Sequence, residues 1–151
     1  MNYEAPEPIE SKTLDIRPLS DDEEGYRQEA LALAAHYLDS ANPLAIQKVQ
    51  ELYQVVAENF GDYDKAQIAV GIAFGETIVE KTGWDWVRVT DEYGAETSLS
   101  PPGYSIACHP VSMIQKRIAA NEPVDLAELR DEAINVIERR VAEGYYGERK
   151  T

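Results

Sequence analysis

The sequence predicts an α+β fold: three N-terminal helices, a three-stranded antiparallel meander, then a short and a long C-terminal helix. Three observations carry this. Apolar residues recur at helical spacing up to about residue 82 and again after Pro110, whereas the period drops to two from Trp84. The links between the short strands hold too few residues for a parallel crossover. Helices and strands are also segregated along the chain, which separates α+β from alternating α/β.

The first helix is expected over about 21–39. Ser20 followed by Asp21, Asp22, Glu23 and Glu24 is a start signal, because carboxylates are favoured at the positive end of the helix dipole. Its stripe is Tyr26, Ala30, Leu33, Ala34 and Tyr37. Asn42 and Pro43 read as cap and first-turn residues of a second helix with the stripe Val49, Leu52, Tyr53, Val56 and Phe60, ended by Gly61. A third helix starts at Asp62 or Asp64 and ends at Gly83, with the core face Ile68, Gly71, Ile72, Gly75, Ile78 and Val79. Each interior glycine costs about 1 kcal/mol relative to alanine, so another element is expected to approach this face closely. Glu76, Glu80 and Lys81 make it a water-soluble helix, not a lipid-facing G-x-x-x-G dimer.

Strands are expected from Trp84 to Thr90, over 95–100, and from Tyr104 to Cys108. Asp91-Glu92-Tyr93-Gly94 is a turn, and Pro101-Pro102-Gly103 a break. Pro110 opens the short helix, bearing Val111, Ile114 and Ile118, and Asp125 with Glu128 opens the last helix in a capping-box-like start. The organisation read from this is an extended or flexible acidic arm over 1–19, a single domain over 20–144, and a frayed tail over 145–151.

The formal net charge of −14 disfavours nucleic acid and anionic membrane surfaces as partners, since neither phosphate nor lipid headgroup would find the cations it needs. A basic protein is the partner that such a field attracts. Half the basic residues lie in the last quarter of the chain. Cys108 is the single cysteine, so an intramolecular disulfide is excluded and a reducing, cytoplasmic setting is expected. No apolar run reaches the length of a membrane-spanning helix, and the start lacks the basic and apolar regions of a secretory signal.

The stretch from Ile68 to Leu129 resembles a family of small bacterial domains of unknown function. The likeness is carried by Gly71, Gly75 and Glu76, by Trp86, by Asp91-x-x-Gly94, by Pro110, Met113 and Lys116-Arg117, and by Val124-Asp125-Leu126. Asn121-Glu122 stands where the resemblance leads one to expect a glycine–acid pair. The resemblance implies a bacterial, intracellular α+β domain and supplies no catalytic residues.

Two groups of residues are candidates for a binding or ionic site. Glu76 lies at the edge of its helix's core stripe, and Arg117, Arg130 and Arg140 lie at or on apolar arcs of the C-terminal helices, so a pair between Glu76 and one of them is expected. Trp84, Trp86, Tyr93 and Tyr104 fall in or beside the meander. They either pack on the helices or form an exposed aromatic surface for a peptide or partner. Cys108 and His109, neighbours on a strand, point to opposite faces and make no nucleophile–base pair. Ser105 in Gly103-Tyr104-Ser105-Ile106-Ala107 lacks the strand-to-helix turn of a nucleophile elbow. Two histidines, without metal-ligand spacing, suggest no metal, and no glycine-rich phosphate loop or other cofactor motif occurs.

These readings favour a non-catalytic intracellular protein-binding module, one version being an acidic antagonist of a basic partner. The alternatives are a small hydrolase using Glu76, Asp91 or His109 between sheet and helices, and a structural homodimerisation domain.

Overall fold

The protein is described by a computed structural model over residues 15–38 and 45–144. Its elements are β1 (Asp15–Pro18), α1 (Asp21–Leu38), α2 (Ile46–Asn59), α3 (Asp64–Thr82), β2 (Asp85–Asp91), β3 (Gly94–Ser100), α4 (Pro110–Ala119) and α5 (Leu126–Ala142). The class is α+β, with five helices and one three-stranded antiparallel sheet in the order β1-β2-β3 among the described residues. No helix among the described residues is long and apolar enough to cross a membrane.

The third strand is not the expected one. Toward β3, and among the described residues, 104–108 contribute an isolated bridge, Cys108 to Leu99, with both backbone bonds at 2.9 Å, and no ladder. The Ile106 carbonyl accepts from the Ser100 hydroxyl at 2.6 Å, a side-chain bond standing where a ladder bond was expected. The third strand is instead β1, on the far side of β2; its Ile16 pairs with Val89, and among the described residues the outer edge of β3 stays open beyond Leu99. Residues 15–18, read from sequence as part of a loose arm, are therefore a strand. Residues 1–14 of that arm, the Asn42-Pro43 cap and the tail over 145–151 lie outside the described residues. The first described helical residue of α2 is Ile46, later than the proline-based reading placed it.

Local chemistry explains the helix starts. Ser20 and Glu23 form a reciprocal capping box: the Glu23 amide donates to Ser20 Oγ at 3.2 Å and the Ser20 amide to Glu23 Oε1 at 2.8 Å. Asp125 accepts from the Glu128 amide at 3.2 Å at the head of α5. Asn121 occupies φ +53°, the left-handed region that favours glycine, at the position where a glycine was expected.

The main core joins Val49, Leu52, Tyr53 and Val56 of α2 to α3, Trp84, Leu99, Ile114 and the α5 side chains Leu126, Leu129, Ile134 and Ile137. Each such large apolar side chain contributes about 1.5–3 kcal/mol when fully buried. A smaller cluster of Ile16, Val87 and Val89 occupies the other face of the sheet. Four residues assigned to core stripes are exposed instead: Tyr26 on α1, at 75%, together with Tyr37, Phe60 and, on α3, Ile68. α1 fully buries only Ala30 and Ala34, with Leu33 and Leu38 packed partly against the core, so small side chains bring it close to α3 while Tyr26 stays outside.

Candidate functional site

The α3 glycines set the geometry. A Cβ built on Gly71 would lie 2.6 Å from Val111 Cα, and one on Gly75 would lie 2.7 Å from Trp86 Cζ2 and 3.2 Å from Pro110 Cγ. The start of α4 and the Trp86 indole thus rest directly on the α3 backbone, which is the close approach the two glycines imply.

The next residue, Glu76, accepts the Trp86 indole N–H at 2.8 Å and pairs with Arg27 of α1. Arg27 also pairs with Glu24, and its guanidinium carbon stands 5.7 Å from the Trp86 ring centre. The Arg27 guanidinium holds the Glu24 carboxyl below the usual carboxylate range, and the Glu24 hydrogen bond raises Arg27 in turn. The knot binds α1, α3 and β2 together. Its arginine is Arg27, not Arg117, Arg130 or Arg140. Arg117 donates to the Met113 carbonyl at 3.1 Å, and Arg130 pairs with Asp131 at 3.0 Å. Nothing in the Arg27 sequence context signalled this, because Glu76 lies 49 positions away and on another helix.

The aromatic set divides. Trp84 is buried in the main core and Trp86 is half-buried on its edge. Tyr93, at the hairpin turn, is 89% exposed, and Tyr104 stands half out on the following loop. The tryptophans face the helices because Trp86 and Leu99, opposite each other in the ladder, share the helix-covered face.

His109 is the N-cap residue of α4, yet its side chain makes no capping bond. Glu96 makes it: its Oε1 accepts from the Ser112 amide at 3.2 Å and the Ser112 hydroxyl at 2.6 Å. His109 Nδ1 lies 2.6 Å from Ser98 Oγ and 3.6 Å from Glu96 Oε2. Serine and acid therefore approach the same imidazole nitrogen, whereas a catalytic triad needs them on opposite nitrogens. Ser98 is also fully buried. The Cys108 thiol is pushed up to about 12 by burial, which leaves it a neutral, inert side chain. Ser105 is buried in the same region. Among the described residues, no group of three or more His, Cys, Asp and Glu side chains is placed to hold a metal ion.

Several depressions lie among the described residues, and three of them bear on the candidate residues. A cleft of about 610 Å³ between the end of α3 and α5 is lined by Trp84, Lys81, Asp131, Asn135 and Glu138, with Lys81 and Asp131 paired across it at 3.2 Å. A groove of about 210 Å³ has Ile68, Ile72 and Val111 among its lining, with Tyr26 and Arg27 on the α1 side and Arg88, Ala95, Glu96 and Thr97 from the sheet. A pocket of about 180 Å³ at the hairpin end is lined by Val89, Asp91, Tyr93, Gly94, Ala95, Glu96 and His109. It unites Tyr93 and His109, singled out from sequence, with Asp91 of the hydrolase reading. Glu96 escaped notice, its one sequence signal being a carboxylate inside a strand.

No curated protein matches this sequence. A crystal structure from Bacteroides thetaiotaomicron VPI-5482 at 1.50 Å resolution is similar at 16% identity and a TM-score of 0.64, over 81% of this chain and 47% of that one. The chain thus spans about half the length of that protein, and the likeness shows the fold. The family described as "Domain of unknown function (DUF3806)" matches residues 46–129, from the first described turn of α2 into α5. The hairpin pocket lies wholly within that stretch, whereas Tyr26 and Arg27 precede it. By this match over more than half its length, the chain belongs to the DUF3806 family of small domains.

Proposed function

We propose that this chain is a non-catalytic bacterial protein of the cytoplasm that binds a basic protein partner, one version being an acidic antagonist. One observation carries the reading. The two most exposed aromatic side chains among the described residues stand on acidic ground: Tyr26 follows Asp21–Glu24, and Tyr93 follows Asp91-Glu92. An exposed tyrosine beside carboxylates suits a lysine or arginine, since the ring face and the negative charge attract the same group. The net charge of −14 adds an attractive field at longer range. The lone cysteine supports a reducing compartment.

Affinity capture from the native cell, repeated at rising salt, tests this. A basic protein should be retained by the wild-type chain, released by salt, and lost with a Tyr26→Ala/Tyr93→Ala double variant of unchanged melting temperature. Capture indifferent to salt and to both tyrosines overturns it. A hydrolase is the second reading, supported by Asp91, Glu96 and His109 lining one pocket. Turnover of ester or phosphoester substrates that His109→Ala abolishes would establish it in place of the first.

A further inference from the structure

The groove and the hairpin pocket lie on opposite faces of the sheet and meet at Ala95 and Glu96, which line both. In the ladder Val89 is opposite Glu96, and Arg88 is opposite Thr97. Opposed residues share a face, so Glu96 belongs to the pocket's side and Thr97 to the groove's side. Between the two runs the outer edge of β3. Leu99 spends its N–H and C=O on Cys108 across that edge. By the alternation of an antiparallel ladder, Thr97 and Ala95 turn theirs to the same outer side. Among the described residues, neither backbone N–H has a hydrogen-bond partner there. At the sheet's other edge β1 carries Pro18, which has no N–H to offer.

We propose that an extended segment of a basic partner adds to the sheet along β3 at Ala95–Thr97, placing one aliphatic side chain in the groove and the adjacent arginine or lysine in the hairpin pocket. The inference rests on the protein-binding reading above and names the segment and its seat. An added strand sends successive side chains to opposite faces, and here the two faces differ in chemistry. The groove offers Ile68, Ile72 and Val111. The guanidiniums beside them are already engaged, Arg27 by Glu24 and Glu76 and Arg88 by Glu23 at 3.3 Å. The hairpin pocket offers the Asp91 carboxylate and the outer oxygen of Glu96, whose Oε1 is held by Ser112, with the exposed Tyr93 in the same lining. Charge complementarity selects a cation on that side and disfavours a second copy of this chain, which would bring its own Asp91 and Glu92 to the same edge.

The test uses the full chain and two labelled short peptides of equal composition, one with leucine and arginine adjacent and one with a serine between them. The adjacent peptide should bind at least about tenfold more tightly, because the spaced one directs both side chains to one face. Binding should slow hydrogen exchange at the Ala95 and Thr97 amides, and methylation of the peptide backbone nitrogens should abolish it. Ile68→Ser and Asp91→Asn, both at exposed or turn positions, should each weaken it about tenfold, a loss expected of an anchoring contact. Equal affinity of the two peptides, no protection at Ala95 and Thr97, or a light-scattering dimer that occludes them overturns the proposal. Salt-sensitive capture of a basic protein that survives Ile68→Ser and Asp91→Asn sinks this seat while leaving the protein-binding reading standing. Loss of capture in the wild-type chain sinks both.

Discussion

Alanine at Gly75 places a methyl group against the Trp86 indole, whose Cζ2 would be 2.7 Å from the new Cβ. The indole cannot swing away freely, because its N–H is bonded to Glu76 at 2.8 Å and Arg27 lies over its ring. Helix propensity alone would make the substitution stabilising by about 1 kcal/mol. Overpacking costs about 1–3 kcal/mol, and disturbing a hydrogen bond to a charged group costs about 1.5–3 kcal/mol. The steric side wins, and Gly75→Ala should destabilise by roughly 3 kcal/mol, seen as a lower urea midpoint at unchanged m-value. Trp86→Phe removes the clashing atoms, so in that background Gly75→Ala should cost nothing or stabilise by up to about 1 kcal/mol, giving a coupling of about 3–4 kcal/mol in the double-mutant cycle. Gly71 provides the contrast. Its added Cβ meets the Val111 main chain at 2.6 Å, so Val111→Ala should not rescue Gly71→Ala. A Gly75→Ala protein as stable as wild type would refute the packing argument, and rescue of Gly71→Ala by Val111→Ala would refute the distinction between the two sites.

Other outcomes follow from the ionic knot and the buried thiol. Glu76→Gln leaves Arg27 with Glu24 as its carboxylate partner and should destabilise by about 2 kcal/mol in urea unfolding; a neutral result would mean Glu24 alone satisfies the guanidinium. Glu23 is held down at about 2 by its hydrogen bonds to Arg17 and Ser20, below its ordinary 4.5. A depressed carboxylate contributes stability above its ordinary value and loses it as pH falls through the folded one. The β1–α1 junction should therefore loosen between about 4.5 and 2, as read by the Ser20 amide resonance, and Arg17→Ala should shift that step upward. Titration of Glu23 near 4.5 in the wild-type chain would contradict the assignment. Cys108 should resist a thiol reagent near neutral pH in the folded protein and react promptly in urea, and fast native reaction would show that the site opens.

Helices and the central hairpin were legible because their signals are local. The α2 stripe and the Ser20 and Asp125 starts are written within a few turns of chain. The alternation after Trp84 leads into β2, and Asp91 and Gly94 close the turn by pairing with each other. Gly71 and Gly75 likewise announced a close neighbour, though not that it would be Val111 and an indole. The candidate surface was legible only in pieces: Tyr93 and His109 were singled out, while Glu96, Ile68 and Tyr26 were passed over or placed in the core.

What the sequence determined by itself is the class, the helix registers and the hairpin, each encoded by short-range periodicity and capping chemistry. Tertiary structure alone decided that residues 15–18 become the third strand, since four residues with one buried side chain carry no period of their own and gain a ladder only when Val87–Thr90 is already in place. It also chose Arg27 for Glu76, a partner set by how α1 crosses α3 and not by either residue's neighbours. And it brought a groove and an acidic pocket to the two sides of one strand edge, because the single Cys108 bridge stops short of Thr97 and Ala95.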